Sequence, residues 1–203
     1  VAHAAWRVRI IYSFRNGHAG GPAAAGNLMG DTMDFLQLAR ERYSVRKYTS
    51  QAVERQKLEA VLEAARIAPT ACNLQPWRVH VVQSEDLLER YDELTPMRYG
   101  APTVLVFTYD VAEDWKNPLE EGVHSGEQDA SIAATHAMLE AQDLGLATLW
   151  CNYLPNAGVA ELLDLPASER VVLALNVGYA APEAHPSKLH AAGKSLGELA
   201  DFR

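Results

Sequence analysis

Cysteine is scarce: Cys72 and Cys151 are the only two in 203 residues. Neither belongs to a CxxC pair or lies near histidines at zinc-site spacing, which excludes a disulfide scaffold and a thiolate metal site and reads as a reduced, cytoplasmic protein. No apolar run approaches the ~18 residues that would span a bilayer. Basic charge is in deficit as well. A formal net charge of -8 argues against nucleic acid and anionic membrane as partners, because the average surface repels both. No GxGxxG follows a strand and opens a helix, which removes a doubly wound dinucleotide-binding domain; the glycines between Gly17 and Gly26 lie elsewhere. Walker A, GxSxG and HExxH patterns are absent, Ser44, Ser131 and His136 form no triad pattern, and the seven histidines show no metal spacing. No metal is expected.

What is present is a hydrophobic fraction of 48%, enough for one sizeable core in a chain of this length. The charge is uneven. Residues 1–32 hold three arginines and one aspartate and are net positive, whereas the remainder is strongly acidic. Arg7 and Arg9 before Ile10, Ile11 and Tyr12 suggest a secretory leader, but the apolar stretch ends at Arg15, short of a proper leader core. Gly17–Gly30 is rich in Gly, Ala and Pro and offers little bulky apolar surface to offset the entropy of ordering it. Residues 1–32 therefore read as a flexible N-terminal extension, and 33–203 as the folded domain.

Within that domain the apolar periodicity alternates between two kinds. Asp34 is placed to cap a helix through Phe35, Leu38 and Ala39 to about Tyr43. Leu58, Val61, Leu62 and Ala65 recur at helical spacing over about Glu54 to Ala65. Further helices are expected at Asp86–Asp92, Glu127–Leu144 and Ala157–Leu163. Strands are expected at Trp77–Gln83, Thr103–Tyr109, Ala147–Tyr153 and Val171–Tyr179. The order gives an α+β fold with a central mixed sheet flanked by helices. On the long helix Ala130, Ala133, Ala134, Ala137 and Ala141 form a small-residue stripe. It reads as an ordinary core face or as a close subunit contact.

Two segments carry chemistry. Arg42-Tyr43-Ser44-Val45-Arg46 alternates two guanidinium groups and a hydroxyl along an extended chain, a face suited to a phosphate monoester. Taken alone it also reads as a solvated surface run. Pro69-Thr70-Ala71-Cys72-Asn73-Leu74-Gln75-Pro76-Trp77 brackets amides and hydroxyls between prolines just before a strand. Such a turn presents Asn73 and Gln75 to a heteroaromatic ring, or satisfies its own backbone.

In this order the two segments resemble the FMN-binding signature of the nitroreductase family. There an Arg-x-Ser-x-Arg element holds the flavin phosphate and ring edge, and a Pro-Ser/Thr-x-x-Asn-x-Gln-Pro-Trp element reaches in from a partner chain. The resemblance continues at Asp143-Leu144-Gly145-Leu146 and through Cys151, Asn152 and Tyr153, where the family's backbone approaches the flavin N5; the Asn152 N–H is the implied donor. It ends at Asn176-Val177-Gly178-Tyr179 and a basic tail in which Lys194 stands where the family usually has Arg, keeping the charge but losing the bidentate fork. The resemblance implies an intertwined homodimer that uses FMN, with NAD(P)H as electron donor and nitroaromatics, quinones or similar small molecules as acceptors. The implied cofactor-binding residues are Arg42, Tyr43, Ser44, Arg46, Pro69, Thr70, Ala71, Asn73, Gln75, Cys151, Asn152, Tyr153 and Lys194. A flavin-binding protein without turnover stays open as an alternative. The chain is short for the family, and Asp110–Ser125, whose only tryptophan is Trp115, reads either as a reduced lid over the substrate pocket or as a plain surface connection. Cys151 beside Trp150 reads as a buried structural thiol.

Overall fold

The computed structural model describes residues 34–203; the expected N-terminal extension, residues 1–32, lies outside them. Six helices and four strands follow one another as α1 (Phe35–Glu41), α2 (Arg55–Arg66), β1 (Trp77–Val82), α3 (Glu85–Leu94), β2 (Thr103–Asp110), α4 (Gly126–Asp143), β3 (Ala147–Cys151), α5 (Asn156–Leu162), β4 (Glu169–Gly178) and α6 (Leu196–Leu199). A one-turn 3-10 helix, Ala71–Asn73, precedes β1, and others lie at Pro96–Arg98 and Lys188–Ala191. The α+β class expected from the sequence is the class found.

The strands form one sheet in the order β1-β2-β4-β3. All three strand pairings are antiparallel. The parallel component of the expected mixed sheet is a single bridge, Ser44 to Thr148 on the outer edge of β3. β2 and β4 occupy the centre, so both faces of β2 must be apolar. Leu105 and Phe107 point into a cluster with Leu58, Val61 and Ala65 of α2 and with α4, while Val104 and Val106 point to the opposite cluster with Leu88 and Tyr91 of α3 and Val159 of α5. Each large side chain buried this way contributes about 1.5–3 kcal/mol.

The alanine stripe of α4 belongs to the first cluster. Ala130, Ala133, Ala134, Ala137 and Ala141 are all fully buried against α2 and the sheet of their own chain. The core-face reading therefore holds and the subunit-contact reading of this stripe does not; Ile132, on the opposite flank, is 37% exposed. α4 ends at Leu144 in a Schellman turn, with Gly145 at φ 73°, Leu146 N donating to Ala141 O and Gly145 N to Gln142 O. Lys57 Nζ donates to the Leu144 carbonyl at 2.9 Å and to the Tyr179 hydroxyl at 3.1 Å. This cation at the negative end of the helix fixes the turn from which β3 departs.

Candidate functional site

The cationic segment is built onto the sheet edge. After the C-cap of α1 at Arg42, Val45 N donates to Thr148 O at 2.9 Å, and the Val45 side chain is buried at 2% exposure. Further along, Ala181 N donates to Lys47 O at 3.0 Å and Thr49 N to Tyr179 O at 2.9 Å. With Val45 turned inward, alternation sends Ser44 and Arg46 the other way. Both line a pocket of about 200 Å³ together with Lys47, Glu183, His185 and Ser187. Arg46 Nη1 donates to the Ser44 carbonyl at 3.2 Å, which leaves its remaining N–H groups for an anion. Arg42 does not line this pocket, and Lys194 does not either. The tail containing Lys194 returns to the first helix, with His190 Nε2 3.1 Å from Arg40 O and its ring edge-on to Tyr43 at 6.2 Å. Lys47 and His185 are pocket residues that the sequence reading did not single out; His185 is brought there by the chain after β4, which no local pattern announces.

Half-buried Tyr48 follows the segment with its hydroxyl turned inside, its phenol pushed above its ordinary range by desolvation, an effect that Arg46 offsets in part. It stays a neutral phenol at every ordinary pH. Its ring lies against Gly178, the last residue of β4.

The amide turn is unusual in its backbone. Cys72, Asn73 and Gln75 have φ of 50°, 54° and 52°, three non-glycine residues in the left-handed region, each costing about 1–3 kcal/mol. Local bonds hold part of this shape: Asn73 N donates to Thr70 O, Leu74 N to Ala71 O, and Gln75 N to Thr70 Oγ1 at 3.1 Å. Arg78 Nη1 donates to Gln75 O at 3.3 Å while its Nη2 pairs with Glu113 at 2.6 Å. Gln75 Nε2 donates to Asn73 Oδ1 at 3.0 Å, so the two amides stabilise each other and do not fold back onto their backbone. Asn73 and Gln75 are exposed. Among the described residues no hydrogen bond joins this turn to Arg42–Arg46, and none of its residues lines the pocket that holds Ser44 and Arg46.

One residue outside every motif reaches this turn. Asp129, 2% exposed in the first turn of α4, accepts a hydrogen bond from Ala71 N at 3.0 Å and another from Ser125 Oγ at 2.7 Å. An aspartate in the first turn of a helix reads from sequence as a dipole partner, and only the tertiary contact reveals its second role.

At the end of β3, Cys151 is buried, its thiol pushed up by desolvation and only partly relieved by the Tyr153 carbonyl. It is a buried thiol, as the sequence reading expected. Asn152 and Tyr153 are exposed. The Asn152 side chain turns back to accept from Trp150 Nε1 at 2.6 Å, while its backbone N–H has no hydrogen-bond partner among the described residues.

The segment 110–125 is a folded hairpin. Lys116 and His124 form an antiparallel bridge, Asn117 N donates to Val123 O at 2.9 Å, and Ser125 N donates to Trp115 O at 3.0 Å. Its base is pinned by the buried Asp114, which pairs with Lys116 and lies 2.8 Å from His124 Nδ1, close but not aligned as a hydrogen bond. The His124 ring stacks on Tyr109 at 5.8 Å. Among the described residues no group of three or more His, Cys, Asp or Glu is arranged to hold a metal ion, and no helix is long and apolar enough to cross a membrane.

The fold and the sequence have known counterparts. The profile of the nitroreductase family matches residues 39–97 and 94–179. The chain belongs to the nitroreductase family. A solved nitroreductase family protein from Clostridium difficile 630 is 34% identical and superposes with a TM-score of 0.77 over 84% of this chain and 98% of its own. A Methanothermobacter thermautotrophicus protein, provisionally named NADH dehydrogenase/NAD(P)H nitroreductase, is 30% identical over 73% of this chain and 78% of its own length. The FMN reductase [NAD(P)H] of Bacillus subtilis is 30% identical over 73% of this chain and 66% of its own. As a nitroreductase-family member the chain has the family's fold.

Proposed function

We propose that this chain is an NAD(P)H-dependent oxidoreductase that binds FMN between two copies of itself and passes electron pairs to nitroaromatic, quinone or similar small electron-poor acceptors. The observation that carries the reading is the bridge between Ser44 and Thr148. It sets the cationic segment beside β3, whose end carries the unpartnered Asn152 N–H, so a phosphate-holding group and a donor for N5 share one sheet edge. These residues fit the cofactor: Ser44, Arg46 and Lys47, with Glu183, line a pocket with room for a phosphate, Arg42 lies two residues before Ser44 in the chain, and two amides are exposed for a ring. Bound FMN would supply the redox chemistry through N5, taking a hydride from the reduced nicotinamide and giving the electron pair to the acceptor. The protein's share is to hold the phosphate through Arg42, Ser44, Arg46 and Lys194, and the ring through Tyr43, Thr70, Asn73 and Gln75. Pro69 and Ala71 give the amide turn its frame. The backbone at Cys151, Asn152 and Tyr153 stabilises charge at N5.

Two features support a homodimer with shared sites. No residue of the amide turn lines the pocket of Ser44 and Arg46 in its own chain, as expected if the turn serves a neighbour. Large apolar side chains are also exposed at both ends of the described chain: Phe35 at 62%, Leu196 at 72%, Leu199 at 69% and Phe202 at 92%. The catalytic unit in this proposal is residues 33–203, and a chain shortened to it retains folding and FMN binding.

The test is anaerobic titration of the purified protein with NADH and NADPH, followed by a panel of acceptors. One nicotinamide should bleach the bound flavin and an acceptor should restore its colour. A yellow protein that neither nicotinamide bleaches is a flavin-binding protein without turnover. A folded, colourless protein that takes up no added FMN overturns the proposal.

A further inference from the structure

We propose that Asp129 is the positioning residue of the amide turn, holding Pro69–Gln75 in the shape that presents Asn73 and Gln75 to the flavin ring; this rests on the FMN reading above. Its carboxylate is buried at 2% exposure, and both oxygens are used: Oδ1 by the Ala71 N–H at 3.0 Å and Oδ2 by the Ser125 hydroxyl at 2.7 Å. Trp115 N donates in turn to Ser125 Oγ at 3.3 Å, so the same anchor touches the hairpin. A buried carboxylate is stabilised only by such donors and by the helix N-terminus it sits in, which makes the bond to Ala71 charge-assisted and stronger than a neutral one.

The turn requires such an anchor. Its remaining bonds run within the turn itself or to Arg78 in the adjoining strand. The bond from Ala71 to Asp129 ties its first residues to a different element, immediately before the left-handed Cys72 and Asn73. Without it, three left-handed residues have a route to relax, and the two amides no longer sit where a ring would meet them.

The wild type, Asp129→Ala and Asp129→Asn are freed of cofactor and titrated with FMN by fluorescence, and amide hydrogen exchange is followed at Ala71 and in the central strands. Asp129→Ala should bind FMN about tenfold or more weakly. Its Ala71 amide should exchange faster, the visible bands of its bound flavin should shift, and the central strands should keep wild-type protection. Asp129→Asn keeps an acceptor for Ala71 and gains a donor for Ser125 Oγ, so it should stay within about threefold of wild type. If the wild type binds FMN while Asp129→Ala matches its affinity and its Ala71 exchange, the positioning role is overturned and the flavin reading stands. If the wild type takes up no FMN, the flavin reading falls and the positioning proposal falls with it. Should Asp129→Ala fail to fold, Ser125→Ala is measured in its place: faster Ala71 exchange with about threefold weaker FMN binding is expected, and no change in either overturns the proposal.

Discussion

Ser44 and Arg46 face one pocket because Val45 between them is committed to the core. A phosphate there would meet a hydroxyl, the Lys47 ammonium and the Arg46 guanidinium, whose N–H groups can bind it in pairs. Arg42→Ala and Arg46→Ala should each weaken FMN binding by about 1–3 kcal/mol, measured by fluorescence titration at fixed ionic strength. Wild-type affinity in both variants would move the phosphate elsewhere. The two cysteines make a second prediction. Cys72 is exposed, whereas Cys151 is buried with its thiol pushed up, and only a thiolate reacts readily. A thiol reagent should modify one of the two in the native protein and both after denaturation. At this scale the sequence displayed the chemistry-bearing side chains, because alternation and proline brackets are local signals. It did not display Asp129, His185 or the left-handed backbone at Cys72, Asn73 and Gln75, since each depends on a neighbour distant in the chain.

Elements were the most legible level. Apart from α6, which no periodicity announced, the helices and strands end within about two residues of where the sequence puts them, and β2 has both faces covered. Asp34 does occupy the N-cap of α1, although its side chain makes no capping bond. The hairpin at 115–124 was less legible, because its order comes from Asp114, Ser125 and the Tyr109–His124 stack and from no run of strand-forming residues. That stack makes Gly126 a tight position: a Cβ there would collide with the Tyr109 ring. Gly126→Ala should cost about 1–3 kcal/mol and lower Tm by several degrees in a thermal melt. On α4, Glu140 has its carboxyl pushed above the ordinary 4.5 by desolvation and then by Asp143. A raised folded value favours the folded state in acid, and that contribution is lost as pH rises through it. Glu140→Gln should therefore melt slightly higher than wild type at neutral pH, with the difference vanishing as pH falls through the ordinary glutamate range.

At the scale of the molecule, the sheet order β1-β2-β4-β3 was not legible, because strand pairing is decided by contacts among segments far apart in the chain. The family resemblance supplied what periodicity could not. It also carries the expectation of a two-chain site, and that makes cofactor retention depend on concentration. Dilution that separates subunits should release FMN in parallel, seen as rising free-flavin fluorescence alongside the fall in sedimentation coefficient. A monomer that keeps FMN tightly would contradict the shared site.

The hydrogen bond from Ala71 to Asp129 spans 58 positions of the chain. A peptide copied from Pro69–Trp77 alone would have no reason to hold three left-handed residues, so the shape of this turn is a product of completed tertiary structure and not of its own sequence. In the proposed site, a cofactor would meet no finished binding surface until the ribosome has delivered the fourth helix and that helix has docked. On the proposed reading, flavin uptake should therefore come late in maturation and report that folding has finished.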